Sequence, residues 1–229
     1  MELEEMSSFF NSRSENYEQH MMNNVEGTNE LYSEIAKLIP KINELNLLDL
    51  GCGTGLELDE IFKVNSTVKV TGIDLAKNMM EKIKQKHNDK LNQLNLIVGN
   101  YFEYDIGTCV FECALSVETL HHFAHEEKIK LYKKIFRSLK QNGFYIEADY
   151  MAPNQEYEDY YFNENRRIRS KLGITTGFYH YDTPCTVENQ MQMLNMAGFK
   201  SVEKVWKYTN TVILLAKNNL VMIEILIKR

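Results

Sequence analysis

Residues 47–55 read Leu-Leu-Asp-Leu-Gly-Cys-Gly-Thr-Gly, an apolar run that ends in three glycines at alternate positions. The run has the character of a buried strand, and the glycines let the backbone turn sharply and approach a ligand closely, because they carry no Cβ and accept positive φ. A helical pattern follows from about Leu56. Strand patterns recur at 68–73, 94–98, 111–116 and 144–148, separated by helical ones at 77–86 and about 126–139, and two last strands at 200–208 and 211–216 lie close enough to form a hairpin. This alternation predicts an α/β fold: a doubly wound, mostly parallel seven-stranded sheet of Rossmann-like type, its last strand antiparallel, with helices on both faces.

A chain of 229 residues, 44% of them hydrophobic, suits a single domain over 1–229 with a substantial core. Before the first strand, residues 1–40 read as helices, one capped by Ser14 and running through Met22, another capped by Thr28 and stopping at Pro40. Residues 150–185, dense in aromatic and charged side chains, read as an insertion, and a helix over 187–196 would end at Gly198. The apolar run Leu220 to Ile227 is an extra edge strand or a tail. A formal charge of −6 and a pI near 5.6 argue against bulk nucleic acid, which demands a concentrated positive field. Cys52, Cys109, Cys113 and Cys185 form no C-x-x-C pair, so neither a disulfide framework nor a metal site is expected, and reduced thiols in the cytoplasm fit best. No stretch reaches the ~20 apolar residues of a membrane span.

Asp74 follows Gly55 by nineteen positions, at the end of the second strand, where a carboxylate accepts bonds from both ribose hydroxyls. A dinucleotide fingerprint would place glycine at position 56 or 58, and these are Leu56 and Leu58. The segment Leu-Asp-Leu-Gly-Cys-Gly-Thr-Gly resembles motif I of the class I S-adenosylmethionine-dependent methyltransferases. The resemblance extends from Asn46 to about Ala148, through Gly72-Ile73-Asp74, Val98-Gly99-Asn100, the segment Ser116 to Phe123, and the turn Arg137 to Phe144.

This resemblance implies S-adenosylmethionine as cofactor. Asp49, Gly51, Gly53 and Gly55 would hold the methionine portion, with Asp49 facing the ammonium group, and Asp74 would bind the ribose. Asn100 stands where the family usually has an aspartate toward the adenine amino group, Tyr101 or Leu75 would pack on the adenine, and Ser116 would close the pocket beneath the sulfonium. Residues 118–122 would line the route to a small-molecule acceptor with an oxygen or nitrogen nucleophile, and the N-terminal helices of 1–40 would form a lid over the cofactor, residues 150–185 a substrate cap. Methyl transfer from a sulfonium depends mostly on orientation and exclusion of water, and where the acceptor needs a base, His121, Glu118 and Tyr17 are the candidates. Two other classes stay open: an NAD(P)-dependent oxidoreductase on a similar sheet, and a protein that binds S-adenosylmethionine without turnover.

Plainer readings stand beside these. His121 and His125, four apart, suggest a metal pair, but a helix-entry turn with one packed histidine is the expectation. Tyr157, Tyr160, Tyr161 and Phe162 have helical spacing that continues to Ile168 and Leu172, which suits cover for the sheet or a homodimer contact more than an acceptor pocket. The run Arg166, Arg167, Arg169, Lys171 reads as a solvated helix face.

Overall fold

The computed structural model describes residues 3–25 and 27–219. Seven strands, β1 (Asn46–Leu50), β2 (Lys69–Asp74), β3 (Leu94–Val98), β4 (Phe111–Val117), β5 (Leu139–Tyr150), β6 (Ser201–Tyr208) and β7 (Thr211–Lys217), form one sheet. Its order is β3-β2-β1-β4-β5-β7-β6. The first five strands pair in parallel, and β7 enters antiparallel between β5 and β6. The helices are α1 (Met6–Arg13), α2 (Tyr17–Asn24), α3 (Thr28–Leu38), α4 (Leu56–Val64), α5 (Lys77–Lys86), α6 (His125–Ser138), α7 (Gln155–Lys171) and α8 (Val187–Ala197). No helix among the described residues is long and apolar enough to cross a membrane.

The strands read as continuous apolar runs because both faces of the sheet are covered. Leu47 and Leu48 point to opposite faces, yet both are fully buried. On one side Leu48, Leu50, Ala114 and Tyr145 pack with Leu131, Tyr132 and Ile135 of α6 and Leu194 of α8. On the other, Leu47, Val70, Leu115 and Ile146 pack with Ile35 of α3, Leu58 and Ile61 of α4, and Ile83 of α5. Gly198, at φ +120, ends α8 as expected.

Three details differ from the sequence expectation. Ser14 does not begin a helix. It closes α1 by donating its hydroxyl to the Asn11 carbonyl at 3.0 Å, while Glu5 caps the start of α1 and α2 begins at Tyr17. β5 starts at Leu139 rather than Phe144, since Leu139 pairs with Phe111 before the register shifts to Phe144 beside Cys113. The end of α6 is correspondingly Ser138. The apolar run 220–227 lies outside the described residues.

β1 and β4 are neighbours whose following helices cover opposite faces, α4 on the side of Leu47 and α6 on the side of Leu48. Such a reversal opens a crevice at the carboxyl ends of the strands, where ligands of open α/β sheets bind.

Candidate active site

The glycine loop at the end of β1 is fixed from β2. The Gly51 amide donates to the Ile73 carbonyl at 2.8 Å, and the Gly53 amide donates to Asp74 Oδ2 at 2.9 Å. Asp74 Oδ1 accepts from the Ala76 amide at 2.7 Å. Gly51, Gly53 and Gly55 all have positive φ, but they differ in what surrounds them. A Cβ on Gly51 would lie 2.4 Å from Thr119 Oγ1, so the protein's own packing requires glycine there. A Cβ on Gly53 would meet only the Gly51 carbonyl at 3.9 Å. The room at Gly53 is a cradle that protein atoms do not fill, as a ligand-facing turn requires.

The charge of the cleft is one-sided. Asp49 and Glu57, at 1% and 5% exposure, lie within hydrogen-bond reach of each other, and Asp49 Oδ2, Glu57 Oε1 and Thr54 Oγ1 have no partner among the described residues. Burial and the proximity of Glu57 and Asp74 raise Asp49, and burial pushes Glu57 up to about 7. Tyr17, half-buried, feels Glu118, Glu57 and Asp74, so these carboxyl groups share one neighbourhood. A cleft with unpartnered buried carboxylate oxygens fits a ligand bearing an ammonium and a sulfonium, and would repel a pyrophosphate. The residues present therefore fit S-adenosylmethionine and disfavour a dinucleotide.

The remaining residues expected at the cofactor are close by. Tyr101 is buried, with its hydroxyl 3.3 Å from Thr119 Oγ1, and Leu75 packs at the edge of the core. Asn100 Oδ1 accepts from the Phe102 amide at 2.9 Å, a local turn that fixes the loop after β3. The Ser116 hydroxyl lies 2.5 Å from the Tyr145 hydroxyl and is buried at the end of β4.

Beside this cleft lies a cavity of about 600 Å³ beneath α1 and α2, walled by Phe9, Phe10, Arg13, Tyr17, Glu118, His121, His122, His180 and Asp182 among others. His121 Nδ1 is 2.5 Å from Asp149 Oδ1. Asp149 is almost fully buried and also accepts from the Leu120 and Tyr150 amides, each at 2.9 Å. Burial works against an imidazolium, but Asp149, Asp182 and Glu118 outweigh it and raise His121 to about 9. His122 goes the other way, to about 4, through burial and the charge of His121, although its Nδ1 is 3.1 Å from Asp182 Oδ1. Glu118 sits at φ +48 and is pushed up to about 7 by burial and then by Asp149. Burial and the nearby carboxylates raise the Tyr17 phenol, so it keeps its proton.

The first residues of the chain close the cavity. The Met6 amide donates to the Phe178 carbonyl and the His180 amide to the Glu4 carbonyl, both at 3.0 Å, and Phe9 stacks on His180 with ring centroids 3.6 Å apart.

Sequence reasoning missed Asp149, Glu57, His180 and Asp182. Asp149 stands at the carboxyl end of β5, a position that the sheet pattern singles out, whereas Asp182 lies in a loop with no periodicity to announce it. The histidines spaced by four do not converge: His121 pairs with Asp149, and His125 Nε2 turns to Glu158 Oε1 at 2.8 Å. His20 bonds Asn24 at 3.1 Å on α2. Tyr157, Tyr160, Tyr161 and Phe162 are not among the cavity's wall residues. Arg166 and Arg167 bind Asn163 and Glu164 on the exposed face of α7, and Arg169 reaches the Thr176 and Gly177 carbonyls.

Residues 47–143 match a family model described as a methyltransferase domain. Carboxy-S-adenosyl-L-methionine synthase of Campylobacter fetus is 26% identical over 78% of this chain and 82% of its own, and that of Nautilia profundicola is 26% identical over 72% and 73%. In fold the chain is similar to human N-acetylserotonin methyltransferase, solved with S-adenosylmethionine (TM-score 0.64, 16% identity, 90% of this chain and 57% of that one). It is also similar to the YcgJ protein of Bacillus subtilis (TM-score 0.62, 19% identity, 79% and 72%). In its glycine loop, Asp74, strand order and the methyltransferase domain matched over residues 47–143, the chain is similar to the class I S-adenosylmethionine-dependent methyltransferases.

Proposed function

We propose that the chain transfers a methyl group from S-adenosylmethionine to an oxygen or nitrogen nucleophile of a small molecule held in the cavity beneath α1 and α2. The observation that carries this reading is the His121–Asp149 pair, in which a buried carboxylate holds one ring nitrogen and leaves Nε2 at the cavity wall, 3.7 Å from Asp182 Oδ1. When bound, S-adenosylmethionine supplies an electrophilic methyl group on a sulfonium. Asp49, Gly51, Gly53, Gly55 and Asp74 hold it, flanked by Leu75, Asn100 and Tyr101, with Ser116 beneath.

His121 Nε2 takes the acceptor's proton, and Asp149 stabilises the imidazolium that results. In the empty cavity the surrounding carboxylates keep His121 charged, and a second positive charge nearby lowers it toward the neutral form a base requires. Tyr17 keeps its proton and serves as a donor that orients. The N-terminal helices act as the lid and residues 150–185 as the acceptor cap. Four unpaired cysteines support a reducing, cytoplasmic setting.

The test is incubation of the purified protein with S-adenosylmethionine and panels of phenols, carboxylic acids and amines, read by mass spectrometry. A methylated product, lost by roughly 10²–10⁴-fold in His121→Ala while cofactor binding persists, supports the reading. Cofactor binding with no product from any panel would instead indicate binding without turnover. A second reading follows from the named activity of the relatives, whose similarity spans most of both chains. It is that the cofactor's sulfonium methyl loses a proton and takes up carbon dioxide released by a carboxylic acid of the panel, with the His121 imidazolium facing the new carboxylate. The same spectra decide, since that reaction makes the cofactor heavier by one carboxyl group and leaves the acceptor unmethylated.

A further inference from the structure

Asp49 and Glu57 face one another across the start of the cofactor cleft, one from β1 and one from the first turn of α4. Among the described residues neither forms a salt bridge, and the cation that acts on Glu57, Lys86, does so from a distance. The groups that act on the pair are Asp74 from β2, Asp59 from α4 and Lys86 from α5, while Tyr17, Tyr32 and Cys52 also feel its charge. Lys86, the one cation in this set, is bonded to Glu18 at 2.8 Å and to Asp59 at 2.9 Å. Two buried carboxylates in reach of each other cannot both be charged without a cation between or beside them, so in the free protein they share a proton. Beyond that shared proton, no donor among the described residues reaches Asp49 Oδ2 or Glu57 Oε1, and the buried hydroxyl of Thr54 in the adjoining loop has no partner among them either. Buried polar atoms are rarely left so, and Thr54 directly follows Gly53, whose cradle is open.

We infer that Glu57 is a second ligand, with Asp49, for the ammonium group of the cofactor's amino-acid tail, and that binding expels the proton the two carboxyls share. The inference rests on S-adenosylmethionine being the cofactor. The step balances: the acid pair loses one proton to solvent, and two carboxylates then bind one ammonium that keeps its three hydrogens. The pair thus selects for the tail rather than the nucleoside, and couples affinity to pH. Below the range in which the pair gives up its proton, binding must pay for deprotonation and weakens. Above it, the linkage fades. The elevation of Glu57 to about 7 puts this range near neutrality.

Calorimetric titration with S-adenosylhomocysteine tests this without turnover, run near pH 7 in buffers of different ionisation enthalpy. The expected result is an observed heat that varies with buffer, corresponding to release of about one proton per ligand. Glu57→Gln, which keeps shape and hydrogen bonding, should bind roughly tenfold to a hundredfold more weakly and release little or no proton. 5′-Methylthioadenosine, which lacks the amino-acid tail, should bind both proteins alike and independently of buffer. Tight binding of S-adenosylhomocysteine with buffer-independent heat, or with Glu57→Gln unchanged, overturns the inference while leaving the cofactor assignment intact. Failure of both ligands to bind the parent protein overturns the cofactor assignment itself, and the inference with it.

Discussion

The His121 imidazole ties catalysis and stability to the same proton. Its value of about 9 in the folded chain stands above the ordinary ~6.5, so the folded state binds more protons than the unfolded one between those limits. The stability that the His121–Asp149 pair contributes is therefore fully present below pH ~6.5 and is lost as pH rises through about 9. The amount is on the order of 3 kcal/mol. Denaturant unfolding across this range should show that decline, and Asp149→Asn should flatten it. In kinetics, kcat/KM should rise toward a basic limb, and Asp149→Asn should shift the limb to lower pH while reducing the rate. Two glycines give a second contrast. Gly51→Ala should lower the melting temperature markedly, since the new Cβ meets the Thr119 side chain. Gly53→Ala should cost only the ~1–2 kcal/mol of a positive φ yet remove most cofactor binding, measured by thermal shift with and without ligand. The glycines and Asp74 were legible because a tight turn restricts residue type within a few positions. Asp149 was legible only as a strand end, since its contact with His121 spans 28 positions and leaves no local trace, and Asp182, in a loop, was not legible at all.

Among the elements, strands and helices that alternate through the sheet were legible almost to the residue, as at 77–86 and 94–98, because their burial imposes a clear period. The N-terminal helices were blurred. α1 and α2 have eight residues each and bury few side chains, so Ser14, a sound N-cap by type, stands instead at the end of α1. Besides Met6, Phe10, Tyr17 and Met21, which reach the core, what fastens them is polar: Glu15 to Lys82 at 2.6 Å, Glu18 to Lys86 at 2.8 Å, and the Asn78 amide to Asn11 Oδ1 at 2.8 Å. Ion pairs near the surface contribute ~0–1 kcal/mol each, and with one buried side chain apiece these helices should be the layer that opens more readily than the sheet. Lys82→Ala combined with Lys86→Ala should weaken S-adenosylmethionine binding by about threefold to tenfold with little change in melting temperature. High salt should bring the parent protein to the same affinity. If the double variant instead unfolds early, α1 and α2 are part of the cooperative core.

At the scale of the whole molecule, the sheet gathers Asp49, Asp74, Glu118 and Asp149 at the carboxyl ends of β1, β2, β4 and β5, in a chain whose formal charge is already −6. This field favours a cationic cofactor and opposes anionic ones, so titration should show S-adenosylmethionine affinity falling with ionic strength and no NADH binding at any salt. Comparable affinity for NADH would mean that the cleft's charge does not govern its choice. The wall over the proposed acceptor cavity, by contrast, belongs to no sheet: residues 4–9 and 178–180 meet there through two backbone hydrogen bonds and one stacked pair of rings. The two ends of this seam are separated by most of the sequence, and on the proposed reading each entry of an acceptor and each exit of a product would break the same few bonds. The amide hydrogens of Met6 and His180 should then act as clocks, their exchange with solvent running faster than that of the sheet amides and counting each opening of the seam.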